Sequence, residues 1–235
     1  YRKRGGNVSW IGHPMIDSTD KLPSKKSSRK YLKLKNNENI LLIMPASRPQ
    51  EIKYILPTFM KVASQLQKIY PNLVVFIPSC SDTFEEKFAR ALQRHNVNGR
   101  IVSSKDIEEN KPFIYSLSKL ALCKSGTVNM ELALYGVPQV VGYKVSRVTA
   151  FIAKKILNFK VRFISPVNLL MKKLIVPEFV QKDFKVNKIL RKSIQIMNKE
   201  TQKTKIKNGY KSLRKILGDK GVVQRAASEI LDSLS

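Results

Sequence analysis

The stretch from Asn39 to Tyr143 predicts an α/β fold, a parallel sheet with helices on both faces, and three observations predict it. Apolar runs of strand length at 40–44, 73–78 and 120–123 are hydrophobic on both faces instead of alternating, as in strands buried inside a parallel sheet. Each run is followed by a segment whose apolar residues recur at helical spacing. Turn-forming residues separate the two kinds of segment, as at Pro45–Pro49 and Gly136-Val137-Pro138. Repeated strand and helix in this order require right-handed crossovers that cover the sheet, and such sheets bind ligands at the carboxyl ends of their strands.

Trp10-Ile11-Gly12-His13-Pro14 precedes the hydrophilic Asp17–Asp20, and residues 1–20 read as a junction between domains. His13 has no Cys, carboxylate or second His at ligand spacing, so a structural or hinge role is expected for it. Residues 21–38 are rich in Lys and Ser without apolar periodicity, which predicts a solvated basic linker. Folding resumes at Asn39. Ile40–Met44 is the first strand, and a helix is expected over Glu51–Ile69. Arg48 stands between them, where its guanidinium faces either a phosphate or the nearby Glu51. Leu73–Pro78 is the next strand, Asp82 to about Arg94 a helix and Ile101-Val102 a short strand. Ile107–Ser118 is expected to be a helix entered at Pro112, since a first-turn proline gives up little.

Leu120–Tyr143 is the centre of the chain. A strand ending at Cys123 leads through Lys124-Ser125-Gly126-Thr127 into a helix with Val128, Leu132, Ala133 and Tyr135 on its apolar face. Ser125 or Thr127 is placed to cap that helix, and Gly126 lets a ligand approach the backbone. Free N–H groups at the helix start and its positive dipole end suit a phosphate or diphosphate. Glu131 shares a helix face with Thr127, where a carboxylate accepts from ribose hydroxyls. A capped turn of purely structural purpose has the same sequence. Gln139–Tyr143 reads as a further buried strand.

Beyond the centre, Ser146–Leu157 is amphipathic with a basic rim, fitted to cover a strand or to rest on anionic lipid headgroups. The loops around Asn168 and Glu178 carry an amide and a carboxylate that need partners, a sugar being one candidate. Residues 185–235 are helical in pattern, broken at Gly218–Gly221, and carry no catalytic constellation.

With 235 residues, 43% of them hydrophobic, the chain buries one generous core or two small ones. Forty-four Lys and Arg against 17 acidic residues give a net charge of +27, which calls for an anionic partner: nucleic acid, anionic lipid or a phosphorylated substrate. The basic residues are scattered through every segment. Aromatic residues fall at core spacing and no nucleic-acid motif is present, which argues against nucleic acid. No run is long and apolar enough to span a bilayer. Cys80 and Cys123 lack metal-ligand spacing and fit a reducing compartment. Starting at Tyr1, the chain is read as part of a longer protein.

Taken together and in order, Gly12-His13-Pro14, Pro45-Ala46-Ser47-Arg48, Ser125-Gly126-Thr127 with Glu131, Gly136-Val137-Pro138, Tyr143–Ser146, Val167–Leu170 and Val176-Pro177-Glu178 resemble lipid-A-disaccharide synthase. The likeness covers nearly the whole chain as the carboxyl-terminal half of that enzyme, and Ala46–Glu51 resembles the cyanobacterial or plastid-type branch. It implies the Rossmann-like carboxyl-terminal domain of a glycosyltransferase-B fold, spanning residues 39–200, with carboxyl-terminal helices over 201–235. The implied hexosyl transfer moves 2,3-diacylglucosamine from its UDP derivative to 2,3-diacylglucosamine 1-phosphate, with neither metal nor cofactor. By the resemblance, Arg48, Ser125, Gly126 and Thr127 lie near the diphosphate, Glu131 near the ribose and Asn168 near the sugar or diphosphate. The catalytic base belongs to the amino-terminal half, so this fragment is expected to bind the nucleotide sugar weakly without turnover. Ala46 replaces a glycine found in many members, which narrows the approach to a phosphate. Also implied are a cytoplasmic location peripheral to the inner membrane face, contact with its anionic surface and a homodimer. The competing reading is a basic protein that binds nucleic acid or an anionic surface without catalysis.

Overall fold

The computed structural model describes Gly5 and residues 8–146 and 162–233, so most of the amphipathic Ser146–Leu157 segment lies outside the described residues. A six-stranded, fully parallel sheet organises the chain. Its strands are β1 (Asn39–Met44), β2 (Leu73–Pro78), β3 (Gly99–Val102), β4 (Ser118–Lys124), β5 (Gln139–Tyr143) and β6 (Glu178–Val180). They lie in the order β3-β2-β1-β4-β5-β6. The order reverses between β1 and β4, which pair directly, with Leu42 opposite Ala121 and Met44 opposite Cys123. Ile40, Leu41, Leu42 and Ile43 are completely buried, so β1 is covered on both faces. That burial is the reason its sequence does not alternate.

The helices cover the two faces in separate groups. On one side α2 (Pro49–Ile69) packs against α3 (Asp82–Arg94) and α7 (Val186–Asn198). The other group holds α1 (Lys25–Tyr31) on α4 (Ile107–Leu117), and α5 (Val128–Leu134) on α6 (Pro166–Met171) and α8 (Glu200–Leu217). Gly142 lets the α2 group close on the sheet. A Cβ there would run into the ring of Phe184, which meets Phe59 of α2 edge to face at 5.4 Å.

Two expectations are corrected. The stretch 21–38 is not simply solvated: Ser24 accepts from the Ser27 N–H and starts α1, whose Ser28 is fully buried, and Leu32 and Leu34 join the core. Tyr31 stacks on Phe113 of α4 with ring centroids 3.9 Å apart. A helix of seven residues is too short for its periodicity to stand out, and tertiary docking supplies what local sequence lacks. In α4, Pro112 lies inside the helix, which starts at Ile107.

Residues 8–20 are tied to the last helix, α9 (Val222–Asp232). His13 has the structural role expected of it, its Nδ1 accepting from the Met15 N–H and its own N–H donating to Leu217 O at 2.9 Å. Asp17 caps α9, accepting from Val223 N–H at 2.9 Å and Gly221 N–H at 2.7 Å. The Val223 bond, followed by that of Gly221, outweighs desolvation and holds the Asp17 carboxyl below its ordinary value of 3.8. A depressed carboxylate contributes stability above its unfolded pKa and loses it as pH falls through the folded one. Docking of α9 should therefore hold at neutral pH and weaken progressively as pH falls into and through the carboxylate range, and Asp17→Asn should remove that dependence; amide exchange at Gly221 and Val223 across an acid titration measures both.

Candidate functional site

The reversal of strand order opens a crevice above the carboxyl ends of β1 and β4, and the two segments singled out in the sequence leave from these neighbouring strands. From β1 the chain runs through Pro45-Ala46-Ser47 to Arg48, the extended N-cap residue of α2, with Pro49 at the first helical position. The Arg48 side chain is 78% exposed, and its Nη1 lies 4.0 Å from Glu51 Oε1. That separation is a loose ion pair that leaves the guanidinium's donors open. Glu51 is held more closely from β4, by Lys124 Nζ at 3.0 Å. Lys124 also lies 5.9 Å from the centroid of Tyr143 on β5. Glu51 Oε2 is buried without a hydrogen-bond partner among the described residues.

Around the turn, the hydroxyl roles differ from those expected. Ser125 Oγ donates to Ile164 O at 2.5 Å and Thr127 makes no side-chain cap, so neither hydroxyl caps α5. The buried Asn129 fixes the turn instead. Its Oδ1 accepts from Gly126 N–H at 3.0 Å, and its Nδ2 donates to Lys124 O at 3.2 Å. Ser125 N–H goes to Gly142 O at 3.3 Å. Two of the turn's amides thus serve the protein, while those of Thr127 and Val128 find no acceptor among the described residues. A Cβ on Gly126 would meet nothing within 4 Å, so the clearance there is not filled by packing.

Glu131 stands one turn along α5 with its carboxylate 3.3 Å from Lys111 Nζ. Beside it Tyr115 is buried, and burial followed by the Glu131 charge pushes its phenol far above the usual range. Asn168 is fully buried, and the protein itself supplies the partners its amide needs. Its Oδ1 accepts from Ile175 N–H at 2.7 Å and Val176 N–H at 3.0 Å, and its Nδ2 donates to Val176 O at 2.8 Å and Glu178 Oε1 at 2.7 Å. Glu178 also accepts from the Ile164 and Ser165 N–H groups at 2.9 and 2.8 Å. Asn168 and Glu178 thereby clamp the strip 164–165, whose Ile164 carbonyl receives Ser125.

Two cavities open along this edge. One of about 280 Å³ is lined by Met44, Ser47, Cys80, Lys124, Gly126 and Thr127. The other, about 830 Å³, is lined by Arg48, Glu51, Lys53, Tyr54, Tyr143 and Lys144. The Lys124–Glu51 contact joins them. The arrangement offers cations and amide donors to an anion, with carboxylates to receive hydroxyls. Among the described residues no cluster of His, Cys, Asp and Glu is placed to hold a metal. Both cysteines are free; burial pushes the Cys123 thiol up, which makes it inert as a nucleophile. The sequence reading missed the Lys124–Glu51 pair, Asn129 and Glu178's clamp. Asn129 left one signal, an Asn three residues after a glycine at a helix start, a residue type that bonds nearby backbone.

Strand order, helical cover and a crevice at the reversal point define a Rossmann-like α/β domain. Solved structures share it: WaaG, a glycosyltransferase involved in lipopolysaccharide biosynthesis, superposes with a TM-score of 0.59 at 14% identity over 91% of this chain and 52% of its own. The S. aureus MnaA–UDP co-structure gives 0.65 at 13% identity over 99% of this chain and 56% of its own. The family model for lipid-A-disaccharide synthetase matches residues 1–231, and the chain belongs to that family. Cyanobacterial relatives are among its matches: the lipid-A-disaccharide synthase of Prochlorococcus marinus (strain MIT 9313) is 46% identical over 99% of this chain, and that of Gloeothece citriformis (strain PCC 7424) is 35% identical over 99%. The chain spans 59% of the length of each of these two relatives.

Proposed function

We propose that this chain is the nucleotide-sugar-binding half of a hexosyltransferase that moves 2,3-diacylglucosamine from its UDP derivative to 2,3-diacylglucosamine 1-phosphate. One observation carries the reading: the strand order brings the Arg48 loop and the Ser125–Thr127 turn to adjacent strands at the reversal point. Family membership supplies the chemistry. In this reading Arg48 and the Thr127 and Val128 amides hold the diphosphate, and Gly126 provides clearance. As the glycosidic bond breaks the leaving UDP gains negative charge, so donors fixed in advance favour the transition state over the ground state. Glu131 receives the ribose hydroxyls on exchanging part of its bond to Lys111. Asn168 acts through position: it holds the strip that anchors Ser125.

No helix among the described residues is long and apolar enough to cross a membrane. In this reading, which family membership motivates, acylated substrates reach the site from a bilayer surface at the cytoplasmic face, and a homodimer is part of it. The base that activates the acceptor lies in the portion the longer relatives have and this chain does not span. Calorimetric titration with UDP and with ADP is the test. Preference for UDP is expected, and equal or absent binding of both overturns the assignment.

A further inference from the structure

Two cations converge on one buried carboxylate at the reversal point. Glu51 Oε1 meets Lys124 Nζ at 3.0 Å, from the end of β4, and Arg48 Nη1 at 4.0 Å, from the loop after β1. Arg48 is 78% exposed, whereas the Lys124 and Glu51 side chains are only 21% and 10% exposed. An ion pair so far out of water carries a desolvation cost, and Glu51 recovers little of it through Oε2, which has no partner among the described residues. Stability alone does not account for such a pair, since apolar side chains of similar size would serve as well. Lys124 stands opposite Gly142 in the sheet, and the other neighbour of its ammonium is the Tyr143 ring, 5.9 Å away at the centroid. An ammonium has three donors, and among the described residues no acceptor besides Glu51 Oε1 meets them.

The place of Lys124 decides what those donors face. It lines the 280 Å³ cavity with Ser47, Gly126 and Thr127, while its partners Glu51 and Tyr143 line the 830 Å³ cavity with Arg48. The ammonium therefore stands at the neck where the two cavities meet. Its backbone is fixed with the turn, because Asn129, which accepts from the Gly126 N–H, donates to the Lys124 carbonyl. We propose that Lys124 is a binding residue for the terminal phosphate of the nucleoside diphosphate, its ammonium donating to that phosphate while Glu51 holds it in place. This deepens the nucleotide-sugar reading above and rests on it: a nucleotide sugar lying along both cavities brings the phosphate that bears the sugar to the neck. The electron pair of the breaking sugar–phosphate bond stays on that phosphate, so an ammonium fixed there favours the transition state. Arg48 comes to the phosphates from solvent; Lys124 is already in position.

Titration calorimetry of the 235-residue chain with UDP and with UMP, which lacks the terminal phosphate, is the experiment. Lys124→Met is expected to lower the preference for UDP over UMP roughly tenfold, the range of a charge-assisted hydrogen bond. That change strands the Glu51 charge, so Lys124→Met is also combined with Glu51→Gln, which removes both charges of the pair and keeps the net charge of the unaltered chain. The combined variant should show the same loss. A preference restored to that of the unaltered chain overturns the proposal, since Lys124 then only neutralises Glu51. It is also overturned if Lys124→Met keeps the full preference. Lys207→Met, at an exposed position on α8, should leave the preference within about twofold, and an equal fall there overturns the proposal because discrimination then follows net charge. ADP and AMP titrated alongside separate the two readings. Equal affinity of the unaltered chain for UDP and ADP removes the uridine assignment, while the diphosphate preference lost or kept in Lys124→Met still decides the role of the ammonium.

Discussion

Arg48→Ala is expected to lower the affinity for UDP by roughly 30-fold, the equivalent of about 2 kcal/mol for a lost charge-assisted hydrogen bond to a phosphate. Uridine, which lacks the diphosphate, should bind the variant and the unaltered chain alike. The melting temperature should hardly move, because the Arg48 side chain is 78% exposed and its contact with Glu51 is 4.0 Å long. Arg48→Lys should recover only part of the loss, since an ammonium replaces a fork of donors by a point charge. Titration calorimetry with UDP and uridine, beside a thermal melt, reads all of this. A variant that binds UDP as well as the parent would move the diphosphate away from the β1 loop.

The largest effect on stability is expected at Asn168. Replacement by alanine strands the buried Val176 N–H and carbonyl, takes from the Ile175 N–H one of its two acceptors and leaves Glu178 one donor short. At about 1–3 kcal/mol per buried group left unpaired, with partial relaxation, a loss of about 3 kcal/mol follows, or about 6–12 °C in melting temperature for a domain of this size. Asn168→Asp should do no better, since it sets a second carboxylate against Glu178 Oε1. Circular dichroism melts measure both. UDP affinity should fall with them at temperatures where the fold persists, because the strip at 164–165 loses its clamp while still carrying the acceptor of Ser125 Oγ. Unchanged UDP binding in a folded Asn168→Ala chain would separate the strip from the turn.

The sheet was legible where burial is complete. Ile40–Ile43 and Leu73–Ile77 are apolar on both faces because both faces are covered, and the turn residues that bound them hold each run to strand length. Helix α3 was bounded closely because it is amphipathic and ends at a turn. Helix α1 escaped because seven residues rich in Lys and Ser carry too little period, its place being fixed by Phe113 and Ser116 far along the chain. In the crevice, residue identities were legible and their partners were not. Ser125 and Thr127 both look like caps locally, yet Ser125 is drawn to Ile164, a residue 39 positions away. Asn168 reads as a free amide until the fold surrounds it with four partners. Glu51 was weighed only against Arg48, its near neighbour, while its closer cation arrives from β4. Sequence spacing finds contacts within an element; contacts made by crossing the sheet need the topology first.

His13, Asp17 and Ile11 meet Leu217, Gly221, Val223 and Arg225, so the first described stretch and the last helix are stitched to each other. Shortening the chain at one extremity therefore loosens the opposite one. A deletion stopping before Gly218 would strip Asp17 and the Ile11 carbonyl of their donors, and trimming through Asp17 would leave α9 without its cap. Tyr135 and Arg214 tie the same seam to the carboxyl end of α5, Tyr135 Oη donating to Ser18 O at 3.2 Å and Arg214 Nη2 to Thr19 Oγ1 and Leu134 O at 3.3 and 3.5 Å, so the loosening reaches the helix beside the crevice.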